Sequence, residues 1–156
     1  MDNTQTNPLE ILYQDKHLVA VNKPSGLLVH KSSIDKHETQ FALQLVRDLI
    51  GQYVYPIHRL DKPTSGVLLF ALDVQMAQSM SELFRSSQVE KEYIAVVRGF
   101  TEESSLIDYP LKQMLDTKAQ KLQGITKETQ GAQTHFRRLA TVELPFPVSR
   151  YPDARY

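Results

Sequence analysis

The beginning of the chain has two short apolar runs separated by polar residues. Residues 11–13 and 18–21 are apolar, and residues 14–16 between them are polar. This pattern is typical of a β-hairpin. The sequence Pro-Ser-Gly at residues 24–26 predicts the end of the second strand, because proline lacks an amide donor and glycine accepts positive φ angles.

Two later segments carry apolar residues at helical spacing. The first begins after Thr39, a candidate N-cap, and stops at Gly51, with apolar positions at Phe41, Leu45, Val46 and Leu49. The second begins after Asp73, another candidate cap, and its apolar face carries Met76, Met80, Leu83 and Phe84. Because residues three and four positions apart share one face of a helix, both segments are predicted to be amphipathic helices.

The remaining apolar runs predict strands. They cover residues 54–58, 67–72, 93–97 and 134–142, and they are bounded by turn-forming residues. We expect an α+β fold with a mixed or largely antiparallel sheet and flanking helices. A length of 156 residues with 41% hydrophobic residues fits one domain that spans residues 1–156.

The composition excludes several classes of protein. No apolar run approaches the roughly 20 residues that a membrane span requires, and residues 1–8 lack the character of a signal peptide. We therefore expect a cytoplasmic protein without membrane contact. The chain has no cysteine, which removes disulfides, thiolate metal sites and cysteine nucleophiles. Any catalysis has to use oxygen or nitrogen groups.

The charge pattern permits RNA contact without requiring it. The net charge is zero, which argues against a nucleic-acid partner, since phosphate binding draws on an excess of lysine and arginine. Residues 111–138, however, carry two acidic residues and six basic ones, namely Lys112, Lys118, Lys121, Lys127, Arg137 and Arg138. A short basic segment of this kind is usually a solvated face.

The turn after residues 54–58 contains Asp61. A carboxylate among Pro, Thr, Ser and Gly usually hydrogen-bonds its own turn. A loop between two buried strands would, however, hold Asp61 at a sheet edge, and the neighbouring Arg59 favours an ionised carboxylate, which can act as a nucleophile. His58 could act as a base, although a lone histidine beside a strand is more often structural. The residues alone leave both interpretations open.

Three segments resemble the motifs of the RluA-type pseudouridine synthases. Residues 58–69, HRLDKPTSGVLL, are similar to the HRLDxxTSGLLL signature of that family. Residues 21–26, VNKPSG, resemble its upstream KPxG motif, and residues 91–99, KEYIAVVRG, resemble its downstream KxYxAxVxG motif. The three motifs follow one another in the order and spacing of the family.

The resemblance implies an RNA enzyme with a pseudouridine synthase fold that isomerises uridine and needs no metal or organic cofactor. Asp61 would be the nucleophile, attacking the sugar or the base of a flipped uridine or assisting a glycal intermediate. Arg59 would help to displace the flipped nucleotide and would pair with the carboxylate. Tyr93 would stack on the target base, although a core aromatic has the same pattern. His58 and Thr64 share the Asp61 motif and are candidates for substrate binding, with Thr64 also suited to holding the turn.

The resemblance extends to the choice of RNA. Residues 9–35 and 144–156 are most similar to a branch of the family that modifies uridine 65 of certain tRNAs, so we expect a monomeric enzyme that acts on tRNA. About 22 residues precede the KPSG motif, which leaves no room for the small N-terminal RNA-binding domain of other members. Lys23 and Lys62 are candidate phosphate contacts, with a solvated surface lysine as the ordinary alternative.

Two other functions remain open. Members of the family continue past the position matching Tyr156 into a G-R-x-H-Q-L-R-like motif, whose basic residue pairs with the aspartate. We therefore expect an incomplete catalytic domain, and an inactive fragment that binds RNA through residues 111–138 is the second hypothesis. The third is a carboxylate-dependent glycosidase, which would need a facing carboxylate such as Glu90 or Glu92.

Overall fold

The computed structural model describes residues 9–31, 37–112, 129–148 and 154–156. The chain divides into two compact units, Met1–Lys91 and Glu92–Tyr156. Each unit has its own strands, and both helices belong to the first. The prediction of one domain over residues 1–156 concerns the whole chain and stays a prediction.

A four-stranded antiparallel sheet forms the centre of the first unit. Its strands are β1 (Glu10–Gln14), β2 (Leu18–Lys23), β3 (Tyr55–Pro56) and β4 (Gly66–Ala71). Their order across the sheet is β1-β2-β4-β3, which gives β2 a partner on each side. β1 and β2 form the predicted hairpin, and the Asp15 carboxylate closes its turn by accepting hydrogen bonds from the amides of His17 and Leu18, both at 2.7 Å.

The core of this unit lies on one face of the sheet. Alternate residues of the two central strands are fully buried, namely Val19, Val21, Leu68 and Phe70. Helix α1 (Ala42–Ile50) packs against them through Ala42 and Val46. The alternation of strand residues and the helical spacing of α1 thus bring two apolar surfaces together.

Helix α1 confirms the first predicted helix and corrects its N-terminal cap. The helix ends at Gly51, which has the left-handed conformation at φ 74° that favours glycine at this position. Its N-cap is Phe41 and not Thr39, and Phe41 provides no side-chain hydrogen bond. The amides of Ala42 and Leu43 instead donate to backbone carbonyl oxygens of the 28–29 segment, at 2.8 and 3.0 Å. A tertiary contact therefore replaces the side-chain cap.

Helix α2 (Val74–Arg85) begins where the sequence predicts. Asp73 is its N-cap, and one oxygen of its carboxylate accepts a hydrogen bond from the Met76 amide at 2.7 Å. The other oxygen lies 2.8 Å from His17 Nδ1. These two contacts, the Met76 bond first, lower the pKa of Asp73. The helix contacts β3 and β4, but none of its residues is fully buried.

The second unit consists, in its described residues, of three short antiparallel strand pairs. They are β5 (Ser104–Asp108) with β8 (Gln133–Arg137), β6 (Leu111–Lys112) with β7 (Thr129–Gln130), and β9 (Glu143–Leu144) with β10 (Ala154–Arg155). With two helices and antiparallel strands, the chain has the predicted α+β class. No helix in the ranges given above has the length and apolar character needed to cross a membrane.

Three strand predictions are wrong in whole or in part. Residues 93–97 form no strand, because a strand requires a hydrogen-bonded neighbour and no described segment pairs with them. The strand predicted over 54–58 is limited to Tyr55–Pro56, and the one predicted over 134–142 ends at Arg137. The strand that includes residues 134–137 has a partner, β5, of only five residues, whereas β3 pairs with β4 through only two of its residues.

Because the core lies on one face of the sheet, the same valine-to-alanine substitution should destabilise the protein by different amounts at two positions. Val21→Ala should lower the free energy of unfolding by about 2 kcal/mol, since it deletes fully buried methyl groups. Val67→Ala on the adjacent strand should cost less than about 1 kcal/mol, because Val67 is 55% exposed. Urea denaturation followed by circular dichroism measures both values, and equal losses would contradict the placement of the core.

Candidate active site

The loop that connects β3 to β4, residues 57–65, contains Asp61 and is called here the Asp61 loop. Both of its ends are fixed to the sheet. The Ile57 amide donates to the Leu69 carbonyl oxygen at 3.2 Å, and Gly66, directly after the loop, pairs with Lys23 in β2. Gly66 has φ 126°, a conformation that L side chains rarely adopt.

The Asp61 side chain takes no part in closing this loop. Asp61 is exposed, and no described residue donates a hydrogen bond to its side-chain oxygens. The turn is closed by the main chain instead, because the Thr64 amide donates to the Asp61 carbonyl oxygen at 3.0 Å. The interpretation of Asp61 as a residue that merely caps its own turn is therefore wrong.

A second turn, residues 24–27, holds the Asp61 loop from the side. The Gly26 amide donates to the Lys62 carbonyl oxygen at 2.7 Å, and the Ser25 hydroxyl donates to the Pro63 carbonyl oxygen at 2.7 Å. Gly26 has φ 88°, which confirms the expectation that this turn needs a glycine. The upstream KPSG and downstream HRLD motifs are thus neighbours in space.

Lys23 is the buried charge of this site. The residue has no exposed surface, and its ammonium donates to the carbonyl oxygens of Pro24, Leu27 and Lys62 at 3.1, 2.7 and 3.3 Å. Burial lowers the pKa of Lys23, and the nearby Asp61 carboxylate partly offsets that effect. Lys23 is neither a phosphate contact nor a solvated lysine, since its donors are occupied inside the protein.

The two basic residues beside Asp61 have different surroundings. Arg59 is exposed and forms no ion pair with Asp61, so the pairing implied by the resemblance is not present in this structure. The Lys62 ammonium lies 2.8 Å from a carboxylate oxygen of Glu38 and is partly exposed. An exposed pair of this kind contributes little to stability and leaves Lys62 within reach of an anionic partner.

His58 is fixed by its neighbours. Its ring stacks on Phe84 with 5.0 Å between centroids, and its Nε2 accepts a hydrogen bond from the Leu69 amide at 3.2 Å. Because the amide is the donor, neutral His58 carries its proton on Nδ1. Burial lowers the pKa of the ring, with a smaller contribution from Lys91. These contacts fit a structural role at the start of the loop.

Thr64 and Tyr93 complete the predicted set. Thr64 is half-buried in the Asp61 loop, where its amide closes the turn. Tyr93 belongs to the second unit and is 63% exposed, so it is not a core aromatic of that unit. The expectation that Tyr93 stacks on the target base stays a prediction.

The cavities identified along α1 do not include Asp61. One of about 560 Å³ is lined by Arg47, Asp48, Gly51, Gln52 and Tyr53. Another, of about 590 Å³, lies on the side of His30, Glu38 and Phe41. Within the described ranges, no cluster of His, Asp and Glu residues could hold a metal ion.

The comparison with protein families gives the class of the chain. The model of the RNA pseudouridylate synthase family matches residues 17–146, a range that contains the 24–27 turn, the Asp61 loop and Tyr93. The chain belongs to this family, as the three motifs predict.

Curated relatives narrow the similarity further. A protein of Vibrio cholerae named tRNA pseudouridine synthase C is 54% identical over 148 residues, which cover 95% of this chain and 61% of the relative. A protein of Haemophilus influenzae with the same name is 57% identical and is covered to 62%. The chain therefore spans about three-fifths of the length of each of these two relatives.

Solved structures support the fold. Human RNA pseudouridylate synthase domain containing 4 is 27% identical at a TM-score of 0.54, with 93% of this chain and 56% of that chain covered. Human RNA pseudouridylate synthase domain containing 1 superposes at a TM-score of 0.66, with 21% identity and coverage of 99% and 60%. The second similarity concerns the fold alone.

The half-buried ring of His58 predicts a pH dependence of stability. Its folded pKa lies below the ordinary value of 6.5. As the pH falls through 6.5, the unfolded chain binds a proton that the folded chain rejects, so the free energy of unfolding decreases until the folded pKa is passed. His58→Gln keeps a hydrogen-bond acceptor but does not titrate, so it should remove this part of the decrease.

The measurement is urea denaturation of both proteins at a series of pH values. The stability of the wild type relative to His58→Gln should fall with the pH below 6.5 and be constant well above it. Because the other titrating groups are common to both proteins, their effects cancel in this difference. A difference that is independent of pH would mean that His58 titrates equally in the folded and unfolded chains.

Proposed function

We propose that this chain carries the catalytic aspartate of a tRNA pseudouridine synthase and that Asp61 is its nucleophile. The observation that carries the proposal is the state of the carboxylate. It is exposed and accepts no hydrogen bond from the described residues, whereas the backbone carbonyl oxygens of Asp61 and Lys62 accept hydrogen bonds from the amides of Thr64 and Gly26 at 3.0 and 2.7 Å. A free carboxylate on a fixed backbone suits attack on a positioned substrate.

The reaction exchanges one glycosidic bond for another. The bond between N1 of uracil and C1′ of the ribose breaks, the detached base rotates, and a bond between C5 and C1′ forms; C5 loses its proton and N1 gains one, so the product is an isomer of the substrate. Asp61 would attack the sugar or the base, or would assist a glycal intermediate. A stacked uridine is shielded from such attack, so the nucleotide has to be flipped out of its helix.

The other site residues receive roles that fit their surroundings. Arg59 is exposed and unpaired with Asp61, and we propose that it contacts RNA and takes the place of the flipped nucleotide. The exposed Tyr93 is proposed to stack on the target uracil. Thr64 is proposed to hold the Asp61 turn and to line the substrate. For His58, whose Nε2 is occupied by Leu69, we propose a structural role in place of substrate contact.

The substrate and cellular setting belong to the same proposal. The names of the Vibrio cholerae and Haemophilus influenzae relatives support tRNA as the RNA, and we propose uridine 65 as its target. The motifs imply no cofactor. We further propose a monomer in the cytoplasm, with residues 1–156 as part of a single catalytic domain.

Of the two alternative functions, RNA binding without catalysis is tested below, and glycosidase activity is not supported. An RNA-binding chain without catalysis remains an outcome of the experiment, and its proposed basic segment lies largely outside the described residues, at 113–128. A glycosidase is not supported, because the matching family is that of RNA pseudouridylate synthases. Neither Glu90 nor Glu92 is therefore proposed as a second catalytic carboxylate.

Replacing the nucleophile by its amide tests the proposal. Asp61→Asn keeps the shape of an exposed side chain but removes its negative charge, so it should reduce pseudouridine formation by at least about a thousandfold. The 156-residue wild-type chain and the variant are each incubated with tRNA. Chemical mapping of pseudouridine then gives the amount and position of the modified nucleotide.

Asp48→Asn is the matched control, because Asp48 is another exposed aspartate of the first unit and lies on α1. It should modify tRNA at the wild-type rate. Binding of tRNA by all three proteins, measured by filter retention, should be similar. Equal modification by wild type and Asp61→Asn would remove Asp61 from the mechanism, whereas tRNA binding without any modification by the wild type would favour the non-catalytic alternative.

A further inference from the structure

We propose that the C-terminal end of helix α1 carries a second nucleotide-binding site, in which Arg47 and Tyr53 stack an unpaired base of the RNA. The site is the cavity of about 560 Å³ at the end of α1, and this cavity does not include Asp61 or its loop. The inference rests on the RNA substrate proposed above. It adds a contact that affects the binding of RNA and not the chemistry at Asp61.

The way in which α1 ends brings Tyr53 next to Arg47. Arg47 lies in the last turn of the helix, and Gly51 ends the helix in the left-handed conformation. Tyr53 follows two residues later, and the guanidinium carbon of Arg47 lies 5.0 Å from the centre of its ring, which is the distance of a cation–π contact. The partial negative charge of the helix C-terminus also favours a cation here. The arginine is therefore held beside the aromatic ring.

The Tyr53 ring is held in place and remains accessible. Val54, the next residue, is fully buried and anchors the backbone. The rings of Tyr53 and Tyr55 contact each other edge to face, with 4.7 Å between their centroids. Tyr53 nevertheless keeps 56% of its surface exposed. Because the ring already has neighbours that hold it, it loses little conformational freedom when a ligand stacks on it.

Arg47 has a donor that the described part of the chain does not use. Its Nε is buried and has no hydrogen-bond partner among the described residues. A buried donor without an acceptor costs free energy, so an arginine with a purely structural role is expected to bond it within the protein. A small movement of the side chain toward an acceptor in the cavity would remove this cost. The bases of RNA carry such acceptors, which are carbonyl oxygens and ring nitrogens.

The charges around the cavity favour a base over a phosphate. Asp48 also lines the cavity and repels phosphate, as does the partial negative charge of the helix C-terminus. An uncharged base avoids this repulsion, and unpaired bases of RNA stack on aromatic rings and on guanidinium planes. We assign no contact to the Asp48 carboxylate. The ligand that fits Arg47 and Tyr53 is therefore an unpaired base.

The site is separated from Asp61 along the sheet. Tyr55, next to the site, pairs with Ala71 at the end of β4, whereas Gly66 at the beginning of β4 directly follows the Asp61 loop. The five-residue step from Gly66 to Ala71 corresponds to about 16 Å of strand. The base in the site would therefore belong to a different nucleotide from the uridine at Asp61. Such a contact increases the affinity for RNA without touching the reacting atoms.

Tyr53→Leu tests the stacking contact. Leucine keeps an apolar side chain but removes the ring, so tRNA binding should weaken by about tenfold, as expected for the loss of one stacked base. The tRNA concentration for half-maximal single-turnover rate should rise by the same factor, while the maximal rate should equal that of the wild type. Because no phosphate contact is lost, the dependence of affinity on salt concentration should keep its slope. Filter retention at several salt concentrations measures both the affinity and the slope.

Tyr13→Leu is the matched control, because Tyr13 is a tyrosine of β1 with a similar exposure of 54%. It should change neither the affinity for tRNA nor the rate. Arg47→Lys keeps the positive charge but removes the planar guanidinium and its Nε donor. It should weaken tRNA binding in the same direction as Tyr53→Leu, again with an unchanged salt slope.

Tyr53→Trp measures occupancy of the site directly. The chain contains no tryptophan, so this variant has one indole, and its ring can still stack on a base. A single-stranded oligoribonucleotide should quench the tryptophan emission when it binds. The same strand annealed to its complement should quench far less, because its bases are already paired and stacked. Tyr13→Trp, at the control position, should respond to neither RNA.

The outcomes distinguish this site from the function on which it rests. Unchanged tRNA affinity in a folded Tyr53→Leu protein would overturn the site, and so would a reduced salt slope, which would indicate a phosphate contact. If Tyr53→Leu does not fold, emission of Tyr53→Trp that RNA does not change, or that the duplex quenches equally, would overturn it. A wild-type chain that binds tRNA but forms no pseudouridine would instead refute the proposed function, while the binding measurements would still decide whether Arg47 and Tyr53 hold a base.

Discussion

Hydrogen bonds between two irregular stretches of backbone hold the candidate catalytic loop to the sheet. The 24–27 turn donates to the Asp61 loop through the Gly26 amide and the Ser25 hydroxyl. Both stretches are continuous with β2 and β4, whose residues pair from Leu18 with Ala71 to Lys23 with Gly66. The position of Asp61 therefore depends on the two central strands of the unit, where the core is most deeply buried.

Solvent exposure explains how the charged residues around Asp61 are arranged. Asp61 and Arg59 are both exposed, so each can be solvated separately and a pair between them would contribute little. Lys23 is buried and has to satisfy all of its donors within the protein. It does so with backbone carbonyl oxygens, which carry no counter-charge and leave the carboxylate of Asp61 unoccupied. A buried cation and an exposed anion thus share one site without a direct salt bridge.

Local patterns predicted those features that depend on few neighbours. The hairpin, the two helices, the cap at Asp73 and the glycine at the end of α1 all follow from residues close in sequence. The N-cap of α1 could not be predicted in this way, because its amides bond to residues 28–29. Residues 93–97 show the same limit, since an apolar run becomes a strand only beside a partner.

The candidate site was predictable in part. The motif around Asp61 identified the loop, but the state of its carboxylate depends on tertiary hydrogen bonds that a linear pattern does not contain. The burial of Lys23 did have a signal in the sequence. With a period of two along β2, Lys23 falls on the same face as Val19 and Val21, which form the core. A lysine on the apolar face of a central strand was a sign of a structural cation.

Gly26, in the 24–27 turn, and Gly66, directly after the Asp61 loop, are required for their backbone conformation and not for lack of space. An added Cβ at Gly26 or Gly66 would meet no atom within 4 Å, yet both residues have positive φ, at 88° and 126°. A larger residue at either place would find room but would shift the dihedral angles of the main chain toward more common values. The path of the backbone therefore limits which residues these positions accept, and a residue with a side chain would fit best together with a change in the length or course of the loop.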